Sequence, residues 1–345
     1  GIRVDGVMAF DVNFAKLLLD ATGEVYLPDY KETVSAENVF EKTQSYSQEH
    51  FFPGSKEKKN FLGALVKEVI VRIGNGDFSS NLLIIALEKG LKEKHVLFTF
   101  FDPSLNAVVR VNNWSGELSY DNVKGVTAGW EETINDFLAV REANVGVNKA
   151  NAFMKRSLFH VVSIDTGGIR GEVKIVYENT SREESKVEGT YKNYLRVYIP
   201  KHATFTGLTI DGNEVETIQA ELNPQVYEKK GFFEKLSGKL EVEDVKEREF
   251  SVIGFLLQVP IQLQKTVAIS YHLPVTFPIN KEVLYNLSLS KQPGTEADPY
   301  VLSLVHPKTF DVKSEEGVTI QEGTLIFSSN VATDKSFSAR IRKRD

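Results

Sequence analysis

The hydrophobic period of this chain changes once, near residue 155, and that change constrains the fold more than any other feature. Before it, apolar residues recur at helical spacing between short apolar runs. After it they alternate in short segments broken by turn residues, and helical spacing nearly vanishes. Such a chain is expected to fold as an α/β (or α+β) N-terminal domain followed by an all-β sandwich region. With 345 residues it also exceeds one ordinary core. The expected division is 1–155 and 156–345, the second part being one large sandwich or two small ones.

In the first part, "VNFAKLLLDATG" (12–23) sets Phe14, Leu17, Leu18 and Ala21 on one helical face and stops at Gly23. "KEKKNFLGALVKEVIVRI" (56–73) aligns Phe61, Leu65, Val69 and Arg72 along a second helix. "SSNLLIIALEKGLKEK" (79–94) is a third, and "SLNAVVRVNNW" (104–114) turns helical and breaks at Asn-Asn. "SAENVFEKTQSYSQ" (35–48) opens with Ser35-x-x-Asn38, a capping pattern without its Glu or Gln. "DGVMAFD" (5–11), "EVYLP" (24–28) and "HVLFTFFD" (95–102) read as strands.

The second part runs through β-type segments from "SLFHVVSID" (157–165) to "SFSARIRKR" (336–344). "TGGIRG" (166–171) joins two of them and reads as a hairpin turn. The charge-rich stretch 221–248 reads as a long hairpin or an insertion.

The formal net charge is −6, so nucleic acid is not an electrostatically favoured partner. The absence of cysteine excludes disulfides, thiolate zinc sites and cysteine nucleophiles. No apolar run approaches the length of a membrane span. The chain opens on Gly1 without an initiator Met and reads as a mature or excised fragment.

No catalytic signature stands out. None of the six histidines (His50, His95, His160, His202, His272, His306) has a second at metal-binding spacing, and there is no Gly-x-Ser-x-Gly elbow or P-loop. Asp5 and Asp11 bracket the first strand, where both could border a cleft. "NVGVNKANAF" (144–153) offers the amides of Asn144, Asn148 and Asn151 and the Lys149 cation, a set suited to an anion or a sugar. The competing reading is a joint, where Asn and Gly serve bends between two domains. Lys149, Lys155 and Arg156 add a local positive spot on an acidic chain.

Several stretches together carry a resemblance: "DGVMAFDVNFAKLLLDATGEVYLPDYKETVSAENV" (5–39), "KKNFLGALVKEVI" (58–70), "FFDP" (100–103), "ANVGVNKANAF" (143–153), "YKNYLRVYIPKHATF" (191–205) and "SLSKQPGT" (288–295). The chain resembles a bacterial envelope family catalogued only as domain of unknown function 4012. Its most specific marks are the Asn-x-Gly-x-Asn-Lys and Lys-Gln-Pro-Gly-Thr runs. The resemblance implies a membrane anchor upstream and an α/β domain whose sheet is incomplete at its start. The first 73 residues resemble, more distantly, the LytR-CpsA-Psr family, which transfers glycopolymers from polyprenyl-pyrophosphate lipids to the cell wall. Those enzymes hold the pyrophosphate with arginines on the second helix, where this chain reads "NVFEKTQSYSQEH" with Lys42 as its cation.

Three functions follow as expectations. The first is an extracytoplasmic, non-catalytic protein of the bacterial cell surface with a structural, adhesion or ligand-binding role. It needs no cofactor, and its partner would be a cell-wall glycopolymer. The second is a divergent phosphotransferase or pyrophosphatase acting on a polyprenyl-phosphate lipid with Mg²⁺, near Asp5, Asp11, Lys42 or Lys149. The third is a glycan-binding module presenting Tyr191, Tyr194, Tyr198, Tyr271 or Tyr285 on a sandwich face.

Overall fold

The computed structural model describes residues 4–48, 57–119, 132–185, 187–220, 239–314 and 317–344. The chain divides into two units, Gly1–Leu118 and Ser119–Asp345. The sequence-based boundary at 155 is therefore corrected. The strand Thr133–Asn144 carries the apolar run "FLAV" and belongs to the sandwich, because it is hydrogen-bonded between two later strands.

Among its described residues the first unit mixes strands with five helices. β1 (Gly6–Phe10) leads into α1 (Val12–Thr22), and a small β2–β3 hairpin follows (Val25–Leu27, Glu32–Val34). Then come α2 (Val39–Gln48), α3 (Glu57–Asn75), α4 (Ser80–Lys92), β4 (Val96–Phe100) and α5 (Pro103–Val111). Local chemistry sets these ends. Asp11, Ser79 and Asp102 each cap a helix N-terminus through a side-chain oxygen. Gly23 ends α1 at φ 75°. The incomplete capping box at Ser35 is completed by the asparagine itself: Asn38 Oδ1 accepts the Ser35 N–H at 2.9 Å, the role expected of Glu or Gln. Phe61, Leu65 and Val69 of α3 are buried, and Arg72 donates to the Thr22 carbonyl at 2.9 Å, closing the end of α1. On α1, Leu19 is the buried leucine rather than Leu17. Among the described residues β1 pairs only with β4, antiparallel, and Val7 and Met8 on it are exposed.

The second unit is a β-sandwich. Its first half stacks β6 (Met154–Asp165), β7 (Gly168–Asn179), β14 (Gln264–Leu273) and β9 (Thr204–Ile210) over β5 (Thr133–Asn144), β8 (Tyr191–Pro200), β13 (Phe250–Val259) and β12 (Leu240–Glu247). Its second half stacks β16 (Pro299–Val305), β19 (Thr324–Asn330) and β18 (Val318–Gln321) over β15 (Glu282–Ser290), β20 (Lys335–Lys343) and β17 (Phe310–Lys313). The short β10 (Asn213–Glu214) and β11 (Thr217–Gln219) extend the two sheets at their edges. Within each half the long ladders are antiparallel. The halves meet through two parallel ladders, β5 with β15 and β6 with β16. These seams fuse two small sandwiches into two continuous eight-stranded sheets around one apolar core.

Alternation places Leu195, Val197 and Ile199 inward, with Tyr194 and Arg196 half-buried on the opposite face. The "TGGIRG" hairpin forms as expected, with Asp165 opposite Gly168. Of the charge-rich stretch 221–248, residues 221–238 lie outside the described residues; the remainder contains β12, which pairs with β13.

Gly171 is required by its neighbour across the ladder. A Cβ there would stand 2.1 Å from Tyr271 Cζ, because that ring lies over the glycine and is pinned by its hydroxyl contacts. Gly171→Ala is expected to destabilise the sandwich by roughly 1–3 kcal/mol. Chemical denaturation checks this; an unchanged midpoint would mean the ring is free to move aside.

Candidate functional site

The Lys-Gln-Pro-Gly-Thr mark docks on the end of β5, the strand that leads directly into the Asn-x-Gly-x-Asn-Lys mark. β5 and β15 run parallel with Ser290 opposite Ala139, so Lys291 and Gln292 emerge beside Arg141 and Glu142. Gln292 Oε1 accepts the Glu142 N–H at 2.7 Å, and Gln292 Nε2 donates to the Glu142 carbonyl at 3.0 Å. The glutamine side chain thus continues the ladder where the strand itself has ended. Lys291 is fully buried and donates to the carbonyls of Gln292 and Thr295 at 3.1 and 2.7 Å. The Thr295 hydroxyl donates to the Gln292 carbonyl at 2.9 Å. Arg141 donates to the Ser290 carbonyl and hydroxyl at 3.1 and 2.9 Å. Burial pushes the Arg141 guanidinium down to about 10, against the opposing charges of Asp334 and Tyr198.

The loop 144–153 connects β5 in one sheet to β6 in the other, so the expected joint between two domains is a crossover between two layers. Asn144 Oδ1 accepts the Gly146 N–H at 3.0 Å, and its amide donates to the Asn148 carbonyl at 2.9 Å and to Asn151 Oδ1 at 3.3 Å. Asn148 Oδ1 accepts the Ala150 N–H at 3.3 Å while its amide donates to the Thr190 carbonyl at 3.1 Å. These asparagines hold the bend together. The Lys149 N–H donates to the Val187 carbonyl at 2.9 Å, and its amine makes no ion pair with a described residue.

The expected positive spot does not form. Lys155 pairs with Glu178 across the β6–β7 ladder at 3.2 Å. Arg156 points inward, where its Nε lies 2.7 Å from Glu142 Oε2; the two side chains are 12% and 3% exposed. Burial works against the Arg156 charge, but Glu142, Tyr191, Asp298 and Tyr177 together outweigh it and raise the guanidinium above its usual range. Tyr191 donates to the same carboxylate oxygen at 3.0 Å. Glu142 Oε1 and the nearby Tyr177 hydroxyl close no hydrogen bond of good geometry. A cavity of about 30 Å³ adjoins this pair and is also lined by Asp298, whose carboxyl burial pushes up to about 6.

A second polar group sits in the core on the seam between the halves. Asp136 is fully buried on β5 and accepts from Tyr285 at 2.8 Å and from Tyr271 at 3.1 Å. Tyr271 also meets His160 Nε2 at 3.0 Å, and Tyr300 meets His160 Nδ1 at 3.2 Å. The chain of contacts crosses from one sheet to the other and joins all four seam strands. Burial pushes the Asp136 carboxyl up to about 6, against the hydrogen bonds it accepts, and pushes His160 down to about 3.

These positions correct the aromatic-platform expectation. Tyr191, Tyr271 and Tyr285 are buried in the core, Tyr198 is buried against Phe250, and half-buried Tyr194 donates to Glu243 at 2.5 Å. In the first unit, Asp11 caps α1 by accepting the Phe14 N–H at 3.0 Å and lies 2.7 Å from His95 Nδ1. Lys42 is ion-paired with Glu32, and Asp5 is exposed. No hydrogen bond or ion pair joins Asp5, Asp11 and Lys42 to one another, and Lys149 belongs to the other unit. His50 lies outside the described residues. Among the described residues no group of His, Cys, Asp and Glu has metal-holding geometry, and no helix is long and apolar enough to cross a membrane.

Sequence reasoning missed Asp136, Glu142 and Gln292. The signal for the first two was present: Ile134, Asp136, Leu138, Val140 and Glu142 alternate along β5, so both acids fall on core-facing positions.

No protein-family model and no curated protein matches this chain. Solved structures give distant likenesses. One is a protein described as nutrient-binding from Legionella pneumophila, with TM-score 0.39 and 6% identity over 60% of this chain and 71% of that one. Another is leukotriene A4 hydrolase from Saccharomyces cerevisiae, with TM-score 0.32 and 10% identity. That match covers 55% of this chain and spans 29% of the hydrolase.

Proposed function

We propose that this chain is a non-catalytic protein of the bacterial cell envelope, located outside the cytoplasm, with a rigid sandwich as scaffold and binding surface. The observation that carries the reading is the anchoring of 291–295 on the end of β5, the strand that leads into the self-bonded asparagine loop 144–151. The polar residues that a catalytic or transfer site would draw on are largely committed to each other and to the backbone of β5. Buried, mutually satisfied polar groups of this kind specify a structure. The resemblance to domain of unknown function 4012 supplies the envelope location and an anchor upstream, and the cysteine-free composition suits an oxidising compartment.

In this reading the first unit descends from a polyprenyl-phosphate-handling fold of the LytR-CpsA-Psr kind and has lost its transfer chemistry. Lys42 neutralised by Glu32, and Asp11 engaged as a helix cap, support the loss. The partner proposed is a cell-wall glycopolymer rather than its lipid precursor.

The test is turnover. The protein is incubated with a glycan-linked polyprenyl pyrophosphate and Mg²⁺, and phosphate release is compared with a protein-free blank. Equal rates are expected. Release above the blank that Lys42→Ala or Asp11→Ala abolishes would overturn the reading.

A further inference from the structure

We propose that the outer face of β6, β7, β14 and β9 is a binding groove for an uncharged oligosaccharide. The inference rests on the non-catalytic binding role above and gives it a place and a ligand class. Val162, Val173 and Ile269 point into the core, so their neighbours along each strand point outward. Register then sets two rows across three strands: Val161, Glu172 and Ser270 in one, Ser163, Arg170 and His272 in the next. β14 shifts register against β9 between Ser270 and Tyr271, leaving Thr206 as an extra residue on the same surface. Such a bulge increases local twist and re-aims a side chain.

The resulting open groove encloses about 590 Å³ and is lined by these outward residues together with the Gly171 and Tyr271 strand segments. That volume lies in the range of small-molecule sites. Its chemistry differs from that of the motif cluster. The Ser163, Thr206 and Ser270 hydroxyls and the Glu172 carboxylate make no hydrogen bond or ion pair with a described residue. Arg170 is steadied by Asp165 at 3.3 Å, and His272 by the Gly167 carbonyl at 3.1 Å.

Hydroxyls that both donate and accept, with one cation beside one anion, complement a polyhydroxylated ligand without net charge. An anionic chain would meet Glu172 and a cationic one Arg170, and Val161 offers a small apolar patch to a sugar ring. The groove lies on paired strands, so it is held in shape before any ligand arrives.

The experiment is a titration of the full chain, followed by NMR shifts and calorimetry, with tetramers of glucose, N-acetylglucosamine and mannose. A galacturonate tetramer is the charged comparison. At least one neutral tetramer is expected to bind, shifting resonances on β6, β7 and β14. Ser270→Trp, which fills the groove, and Glu172→Ala, which removes an acceptor, are each expected to weaken binding about tenfold or more. Both positions face outward; if Ser270→Trp disturbs the fold by circular dichroism, Glu172→Ala alone decides. Binding by none of the neutral tetramers, binding unchanged in the variants, or preference for galacturonate would each overturn the groove. Those failures leave the non-catalytic reading standing, because only lipid-pyrophosphate turnover speaks against that.

Discussion

Arg156→Ala is expected to destabilise the sandwich by about 3–5 kcal/mol, the usual consequence of stranding one partner of a buried ion pair. The arginine closes a 2.7 Å contact to Glu142, whose side chain is 3% exposed and keeps only the Tyr191 hydroxyl once the guanidinium is gone. The carboxylate then has to ionise in a low-dielectric site or take up a proton. Either outcome also loosens the crossover, because the backbone of Glu142 is clamped by Gln292 from the other half of the sandwich. Urea unfolding followed by far-ultraviolet circular dichroism measures the effect. The double replacement Glu142→Leu with Arg156→Met is expected to recover most of the loss, since apolar residues of similar volume need no partner. A single variant as stable as the parent would mean that Glu142 reaches solvent.

The second large effect is one of pH. Asp136 has a folded-state pKa of about 6, above the 3.8 of an unperturbed carboxyl. The stability linked to it is fully present below the unperturbed value and is lost as pH rises through 6. The shift corresponds to about 3 kcal/mol. His160 has the opposite sign: its pKa falls from 6.5 to about 3, so its contribution is present above 6.5 and is lost as pH drops through 3. Between pH 4 and 6 the two slopes oppose each other at about 1.4 kcal/mol per pH unit each. Asp136→Asn removes one of them. The unfolding free energy of the variant minus that of the parent is therefore expected to grow by about 2 kcal/mol between pH 4 and pH 7. Asp298, also pushed up to about 6, acts in the same direction as Asp136 but is common to both proteins and drops out of the difference. A difference that stays flat with pH would mean that Asp136 ionises as freely in the fold as outside it.

These predictions rest on side chains that the sequence displayed without explaining. His160, Tyr271 and Tyr285 were visible as polar or amphipathic residues inside strand patterns, and core packing was the ordinary fate to expect of them. Their grouping was not visible. Asp136 and Tyr285 are 149 positions apart, and His160 and Tyr300 are 140 apart. The asparagine loop shows the same limit. Its composition announced bends, and the bends are there, but whether it joined two domains or two sheets depended on the partners of the strand before it. Reading 133–144 as part of the first domain followed from its position after the helical segments. Its pairing with β8 and β15 overrules that position.

What the sequence by itself determined is local. It set the helices and their caps, the Gly23 stop, the hairpin at 166–171 and the change from helical to strand period, because each depends on residues within a few positions of one another. Only the tertiary structure decided the parallel seams, the burial of the tyrosines, the Glu142–Arg156 pair and the outward groove. A strand carries its alternation in its own residues, but the face it buries and the neighbours it meets are fixed by register with strands far along the chain.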